Sequence, residues 1–183
     1  LDTISVGEVA GALTQLSGEL YLHILAGDFS VTAAYDAGGD PIEVIAEDVS
    51  IEQTLASDGA VLSLIPRDPG QSIVIGAGEG AGGSFALDQS EIDYLQNGFA
   101  QIQIGEAAGY YPIQIGDATT PGTVSFQDPL WVQAPVAPGA VSIYGTLLGE
   151  DDGSFTLIGS GTGSSLNDAT IQMAGDIRLD DVI

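Results

Sequence analysis

The chain has no cysteine and no lysine, and it has only one histidine and two arginines. Without cysteine, neither disulfides nor thiolate metal sites can hold the fold together. Arg67 and Arg178 cannot neutralise a track of phosphates, which excludes nucleic acid and anionic membrane surfaces as partners. The single histidine, His23, cannot build a histidine-based zinc site alone.

Negative charge and apolar residues are both abundant. The 183 residues include 26 acidic side chains and carry a formal net charge of −24, yet 44% of them are hydrophobic and only 15% are charged. Disordered acidic chains are poor in apolar residues, so this composition predicts a folded domain of sufficient length to bury a core. Prolines and glycines interrupt the uncharged window at residues 129–149, which therefore does not predict a membrane span.

Short stretches that alternate apolar and polar residues run along most of the chain, and each stops at Gly, Asp, Pro or Ser. This alternation is typical of β-strands. A phrase of two branched residues followed by glycine recurs at residues 73–76, 102–105 and 113–116. Stacking such units would bury their branched side chains in one interior ladder, which we predict to contain Ile73, Ile75, Ile102, Ile104, Ile113 and Ile115.

The strand pattern predicts a single all-β domain over residues 1–183. The architecture that fits it best is a β-solenoid of about eight coils at roughly 20–25 residues each, with a length of about 40 Å. The alternative is an antiparallel β-sandwich, in which the same alternation is expected.

One segment, residues 87–98, breaks the β pattern. Its apolar residues, among them Ile92 and Leu95, are near helical spacing, which predicts one or two helical turns packed against the stack. Asp88 or Ser90 could cap the start of these turns, and the Asn-Gly pair at residues 97–98 could stop them.

Residues 72–76, 85–87, 90–95 and 99–105 together resemble one repeat of large bacterial surface exoproteins of the filamentous-haemagglutinin type. In that repeat an Ile-x-Ile-Gly strand is followed by a Leu-x-x-x-Glu-Leu-x-x-Leu turn of helix and a second Ile-x-Ile-Gly strand. Residues 145–149, 154–161 and 175–183 are similar to further phrases of the same proteins. The likeness covers residues 70–183, and its motifs are structural repeats rather than active-site signatures.

The resemblance implies a right-handed parallel β-helix exported to the bacterial cell surface or to the medium. We therefore expect a non-enzymatic structural or adhesive unit of a surface fibre, a filament or a giant exoprotein. Both termini lie within repeat-like sequence, which favours one unit of a longer or tandem array. Its expected partners are neighbouring repeats or further copies joined end to end. A surface glycan is a further candidate partner. The family's secretion module with its Asn-Pro motifs has no counterpart here, because the chain contains no Asn-Pro dipeptide.

No residue qualifies as catalytic or cofactor-binding. Residues 78–83 satisfy Gly-x-Gly-x-x-Gly, but a strand pattern follows them where a dinucleotide site needs a helix. His23 has no nucleophile elbow to serve and is expected to be an exposed strand residue. Carboxylate pairs at residues 47–48, 150–152 and 180–181 leave a polysaccharide-cleaving or polysaccharide-binding β-helix as the alternative function.

Two kinds of ligand stay open on the residues alone. The first is Ca²⁺, because clustered carboxylates such as Asp151 and Asp152 offer it hard oxygen ligands. Neither a calcium-binding nonapeptide nor an EF-hand loop is present, so no metal-ligating residue is assigned. The second is a glycan stacked on exposed aromatic rings. The aromatic candidates are Tyr110, Tyr111, Trp131 and Tyr144. The alternative for them is a core role, which the position of Trp131 between Leu130 and Val132 favours.

Overall fold

A computed structural model describes residues 20–23, 27–78, 84–160 and 163–180, the first four through their backbone. The described residues form strands almost throughout. The strands are β1 Leu20–His23, β2 Phe29–Val31, β3 Tyr35–Asp36, β4 Ile42–Ala46, β5 Val49–Ile51, β6 Leu55–Ala56, β7 Val61–Pro66, β8 Ile73–Ile75, β9 Phe85–Leu87, β10 Gln101–Gly105, β11 Pro112–Ile115, β12 Thr123–Phe126, β13 Leu130–Gln133, β14 Ala140–Gly149, β15 Phe155–Ile158, β16 Ser165–Met173 and β17 Ile177–Asp180. One short helix, α1, spans Gln89–Ile92.

The longest sheet has seven strands in the order β1, β4, β7, β10, β13, β15 and β17. The chain adds these strands in sequence order, leaving the sheet and returning to it between one strand and the next. Their register is continuous, so one residue of each strand lies beside its counterpart in the next. The first such row consists of Leu20, Ile42, Leu62, Ile102, Leu130, Phe155 and Ile177.

The remaining strands form a six-stranded sheet and two strand pairs. In the six-stranded sheet β9, β8, β11, β14 and β12 follow one another, and β16 pairs with β14; the two pairs are β2 with β5 and β3 with β6. The ten-residue β14 is long enough to pair with β11 through its first half and with β12 through its second. Every strand pairing in the described part of the chain is parallel, which confirms an all-β fold and excludes the antiparallel sandwich there.

The six isoleucines predicted to be core residues are all buried, but they do not form one ladder. Ile113 lies beside Ile73, and Ile115 beside Ile75, in the six-stranded sheet. Ile102 and Ile104 belong to the seven-stranded sheet, where the residues beside them are leucines and a valine. The shared Ile-x-Ile-Gly or Ile-Val-Ile-Gly motif therefore occurs in strands of two different sheets. The longest sheet has seven strands among the described residues.

Glycine ends these phrases because the chain turns there against a neighbouring backbone. Gly105 has a φ of 84°, and a Cβ at that position would collide with the main-chain oxygen of Gln133. Gly116 has a φ of 77°, and its Cβ would meet the main-chain oxygen of Tyr144. Both the left-handed conformation and the close approach require a residue without a side chain.

The predicted helical turns form, and Asp88 rather than Ser90 is their N-cap. The Asp88 carboxylate accepts from the Glu91 amide at 2.9 Å, and Glu91 accepts in return from the Asp88 amide at 2.8 Å, which completes a capping box. Ile92 and Leu95 are buried as predicted. The helix ends at Ile92, so placing its stop at residues 97–98 was wrong.

Candidate functional site

Four acidic residues and one asparagine from successive turns meet at one corner of the stack, which we call the acidic corner: Asp58, Asn97, Asp128, Asp151 and Asp152. Each precedes a strand of the seven-stranded sheet, where the chain turns into that sheet. The Asn97 amide donates to Asp151 Oδ2 at 2.9 Å, across 54 residues of sequence. Gly98 N donates to Asp128 Oδ1 at 2.9 Å. Hydrogen bonds between turns thus hold the corner together.

Asp128 is the buried member of the acidic corner, with 1% of its surface exposed. Burial raises the pKa of its carboxyl group, and the nearby charges of Asp152 and Asp151 raise it further. Hydrogen bonds from the backbone of Gly98 and Phe99 act in the opposite direction. These bonds show that the Asp128 carboxylate caps the backbone N–H groups of Gly98 and Phe99, about 30 residues earlier in the chain. Sequence reasoning missed this role because an Asp-Pro pair is typical of an ordinary solvent-exposed β-turn.

The acidic corner does not amount to a built metal site. Across the described ranges, no group of three or more acidic or histidine side chains is arranged to hold an ion. Asp151 and Asp152, the candidate calcium ligands, are exposed, and Asp151 is engaged with Asn97. The arrangement can satisfy backbone donors and the Asn97 amide.

The carboxylates at residues 47, 48 and 180 each have a partner of their own, and Asp181 lies outside the described residues. Glu47 forms an ion pair with Arg67, whereas Asp48 accepts from Ala86 N at 2.7 Å and so joins β5 to β9. Asp180 forms an ion pair with Arg178. Both arginines thus contact carboxylates of this chain. Arg67 and its partner Glu47 are 20 residues apart in sequence, whereas Arg178 and Asp180 belong to the same strand.

The aromatic candidates differ in how far their side chains are exposed to solvent. Tyr111 is fully buried, so it cannot form a stacking platform with Tyr110. The Tyr111 hydroxyl donates to Glu106 at 3.3 Å, and burial raises the pKa of this phenol. Tyr110 is exposed, with its ring against Gly70. Trp131 is half-buried, and its indole N–H is buried with no hydrogen-bond partner in the described structure, so that group cannot reach a ligand.

Two further candidates of the sequence are only partly described. His23 is the last residue of β1, and its side chain lies outside the described residues. Of the glycine-rich stretch at residues 78–83, only Gly78 is described, but the strand pattern predicted to follow it is confirmed by β9.

Three apolar residues of β16 and β17 are exposed in the described part of the chain; we call this surface the open end and define it by Leu166, Ile177 and Leu179. Ile177 is 48% exposed, although Phe155 beside it in the same row is fully buried. Leu179 is 37% exposed, beside the buried Leu157. Among the described residues, no strand pairs with the outer edge of β17.

The open end continues into the six-stranded sheet. Leu166 of β16 is 42% exposed and lies beside Ile143, which is fully buried. Sequence reasoning missed this surface because its residues have the same alternation as core residues. Only the strand order shows that nothing in the described part of the chain lies beyond them.

The chain finds no match among known proteins: no protein-family model, no curated protein and no solved structure matches it. The likeness to filamentous-haemagglutinin-type exoproteins therefore stays a prediction from the quoted phrases. Among the described helices, none has the length and apolar character needed to cross a membrane.

Proposed function

We propose that the chain is a segment of a right-handed parallel β-helix that serves as a non-enzymatic structural or adhesive unit. Its setting would be an extracellular fibre, filament or giant exoprotein at a bacterial cell surface. The observation that carries this proposal is the seven-stranded parallel sheet, in which successive parts of the chain each add one strand in unbroken register.

The energetics of this stack suit a mechanical role. Ile42, Leu62 and Ile102 follow one another in a buried row, so each turn covers the apolar face of the turn before it. An architecture in which each turn contacts its neighbours extends without changing its cross-section. The charge of −24 favours a hydrated, soluble exterior.

The right-handed sense of the proposed helix has general support. Connections between parallel strands of one sheet are right-handed in about 98% of cases, because a twisted strand packs its return path onto the sheet in that way. The six connections between strands of the seven-stranded sheet all join parallel strands, to which this preference applies.

Pulling a single molecule from its two ends tests the mechanical role. A stack of turns is expected to lengthen in steps of one turn, about 75 Å each at roughly 3.4 Å per residue. Release of the whole chain in one event would contradict a unit that bears load turn by turn.

The rival function, binding or cleaving a polysaccharide, is tested on the same purified chain. A panel of neutral and acidic glycans is incubated with it while reducing ends and Trp131 fluorescence are measured. The structural proposal predicts no release of reducing ends. If reducing ends are released, and if Asp151→Asn and Asp152→Asn abolish that release, the structural proposal is wrong and the chain is a polysaccharide-cleaving enzyme.

A further inference from the structure

We propose that the outer face of the seven-stranded sheet binds an uncharged polysaccharide, which lies across strands β7, β10, β13 and β15. We call this surface the neutral face. It is defined by outward residues that are all half-buried: Val61, Ser63, Gln101, Gln103, Trp131 and Thr156. The inference rests on the adhesive form of the proposed function, because it names what the unit adheres to, and it concerns binding without cleavage.

The neutral face has no charge of its own in a strongly acidic chain. None of its four strands contains a charged residue, although the chain has 26 acidic side chains. The adjacent strands of the same sheet differ, because β4 contains Glu43 and β17 contains Arg178 and Asp180. Carboxylates therefore lie on either side of the neutral face, where they would repel an acidic glycan but not an uncharged one.

The register of the sheet arranges the neutral face as a straight row across the strands. Ser63 lies beside Gln103, Gln103 beside Trp131, and Trp131 beside Thr156. Neighbouring strands are about 4.8 Å apart, so the row is about 14 Å long. The width of a sugar ring is close to one strand spacing. An extended glycan that follows the row can therefore place successive rings over successive strands.

The polar side chains of the neutral face have hydrogen-bonding groups to spare. Within the described part of the chain, the side chains of Ser63, Gln101 and Thr156 make no hydrogen bond. Gln103 Nε2 reaches the Gly105 oxygen only at 3.4 Å. Amides and hydroxyls both donate and accept hydrogen bonds, which is what the hydroxyl groups of a sugar require of a partner.

Trp131 supplies an apolar contact within this polar row. It lies between Gln103 and Thr156, and it is half-buried. Because its indole N–H is buried, only carbon atoms of this side chain can meet a ligand. A sugar ring has an apolar C–H face and a polar rim. The indole can stack on the C–H face while the neighbouring amide and hydroxyl groups bond the rim.

A second copy of this chain fits the neutral face less well than a glycan does. The longest of the four strands, β7, has six residues, so the face measures about 14 Å by 20 Å, or about 300 Å². A stable protein interface needs about 800 Å² on each partner. A wider contact between two copies would include Glu43 and other carboxylates, which repel one another.

Fluorescence titration with soluble polysaccharides tests the neutral face directly, because Trp131 is the only tryptophan of the chain. The uncharged probes are dextran, laminarin and hydroxyethyl cellulose, and the acidic probe is polygalacturonate. The charged variant, Gln101→Glu with Gln103→Glu, keeps the side-chain shapes and adds two charges to the face. Its control, Gln53→Glu with Gln172→Glu, adds the same two charges at exposed residues elsewhere.

A second pair of variants tests the stacking contact by calorimetric titration. Trp131→Ala removes the ring from the neutral face. Tyr144→Ala is its matched control, because Tyr144 is a half-buried aromatic residue of β14 in the six-stranded sheet. Circular dichroism shows whether each variant is folded. If Trp131→Ala does not fold, the charged variant decides the outcome.

We expect at least one uncharged polysaccharide to change the Trp131 fluorescence of the wild type and to protect this residue from acrylamide quenching. Polygalacturonate should do neither. The charged variant and Trp131→Ala should each bind about tenfold more weakly or worse, whereas both controls should bind as the wild type does. Absence of binding by all three uncharged polysaccharides would overturn the proposal, and so would equal binding by a face variant and its control.

Two further outcomes separate this inference from its rivals. Dimers in sedimentation velocity whose formation changes Trp131 fluorescence without any glycan would show that a second copy occupies the neutral face, and the proposal would be wrong. A chain that binds none of the uncharged polysaccharides but lengthens turn by turn under force would refute the glycan site and leave the proposed structural role standing.

Discussion

The side-chain amide of Gln89 is hydrogen-bonded to both main-chain polar groups of Ser125. Gln89 Oε1 accepts from Ser125 N at 3.0 Å, and its Nε2 donates to the Ser125 oxygen at 3.2 Å. On the other side of the same helical turn, Glu91 Oε1 accepts from Ile51 N at 3.0 Å. Helix α1 thus lies between β5 and β12. Its side chains make hydrogen bonds to the backbones of these two strands, as the backbone of an intervening strand would do.

Removal of the Glu91 carboxylate should loosen this junction. Glu91→Ala takes the acceptors from Ile51 N and Asp88 N, and a donor left without a partner costs about 1–3 kcal/mol. Glu91→Gln keeps one acceptor oxygen and should cost less. Urea unfolding measures both changes, with the exposed Glu52→Ala as a control that is expected to stay within about 0.5 kcal/mol. Equal losses for the alanine and glutamine variants would contradict a hydrogen-bonding role.

Stability should rise as the solution is acidified from pH 7.5 to pH 5. Burial raises the pKa of Glu91 and of Asp128, so the folded chain holds protons at a pH where the unfolded chain has released them. The free energy of unfolding therefore falls as pH rises through the folded pKa values, and it is recovered as pH falls towards the unfolded values near 4. A melting temperature that drops on acidification over this range would contradict the account.

The Asp128→Asn variant distinguishes two causes of this pH dependence: protonation of the buried Asp128 carboxyl, and the general repulsion among the acidic residues of the chain. This variant should have a smaller difference in melting temperature between the two pH values than the wild type. Asp58→Asn removes one charge from an exposed position of the acidic corner and is the matched control. Added salt screens exposed charges far more than a buried one, so the Asp128 effect should persist at high ionic strength. Identical pH profiles for the two variants would show that burial of Asp128 is not the cause.

Three glycine-to-alanine substitutions should rank by backbone geometry. Gly78 has open space and no positive φ, so Gly78→Ala is expected to be neutral or stabilising by about 0.5 kcal/mol. Gly59 has a φ of 76° with open space, so alanine there should cost about 1–2 kcal/mol. Gly105 combines a positive φ with a collision against Gln133 and should cost more than either. Urea unfolding of the three variants gives the order, and a Gly105→Ala variant as stable as Gly59→Ala would contradict the observed packing.

The core assignment predicts a sharp contrast between neighbouring residues. Ile104 is fully buried, and Ile104→Asp would bury an unpaired charge, so we expect the folded state to be lost. Gln103 is only half-buried, and Gln103→Asp should leave a folded protein. Circular dichroism and thermal melting compare the two, and native-like melting of Ile104→Asp would refute the core.

Much of the fold was accessible from the sequence because alternation and glycine report directly on strands and turns. Ile104 and Ile113 are buried as predicted, since an inward branched residue has the same signature in any stack. The assignment of both to one ladder failed because the shared phrase does not say which face a strand joins. Nothing in the local pattern distinguishes Ile177, exposed at an edge, from Ile102 inside the sheet. That distinction depends on strand order, which arises from contacts between distant turns.

Less of the candidate site was accessible. Asp128 looks like one more surface acid in a chain that has 26 of them, and its burial depends on the turn that contains Gly98, 30 residues earlier. Tyr111 looks like half of an aromatic pair, but only Tyr110 reaches the surface. Charge and aromatic content indicate which chemistry is possible, whereas the packing of neighbouring turns decides which side chains are available for it.

Electron microscopy of the concentrated protein, with calcium and after chelation, tests most directly whether the stack continues from one copy to the next. Parallel strands stacked across the axis predict filaments with a spacing of about 4.8 Å along that axis. Loss of the filaments on chelation would assign the acidic residues a bridging role. Separate particles under both conditions, or filaments whose strands do not lie across the axis, would contradict continuation of the stack.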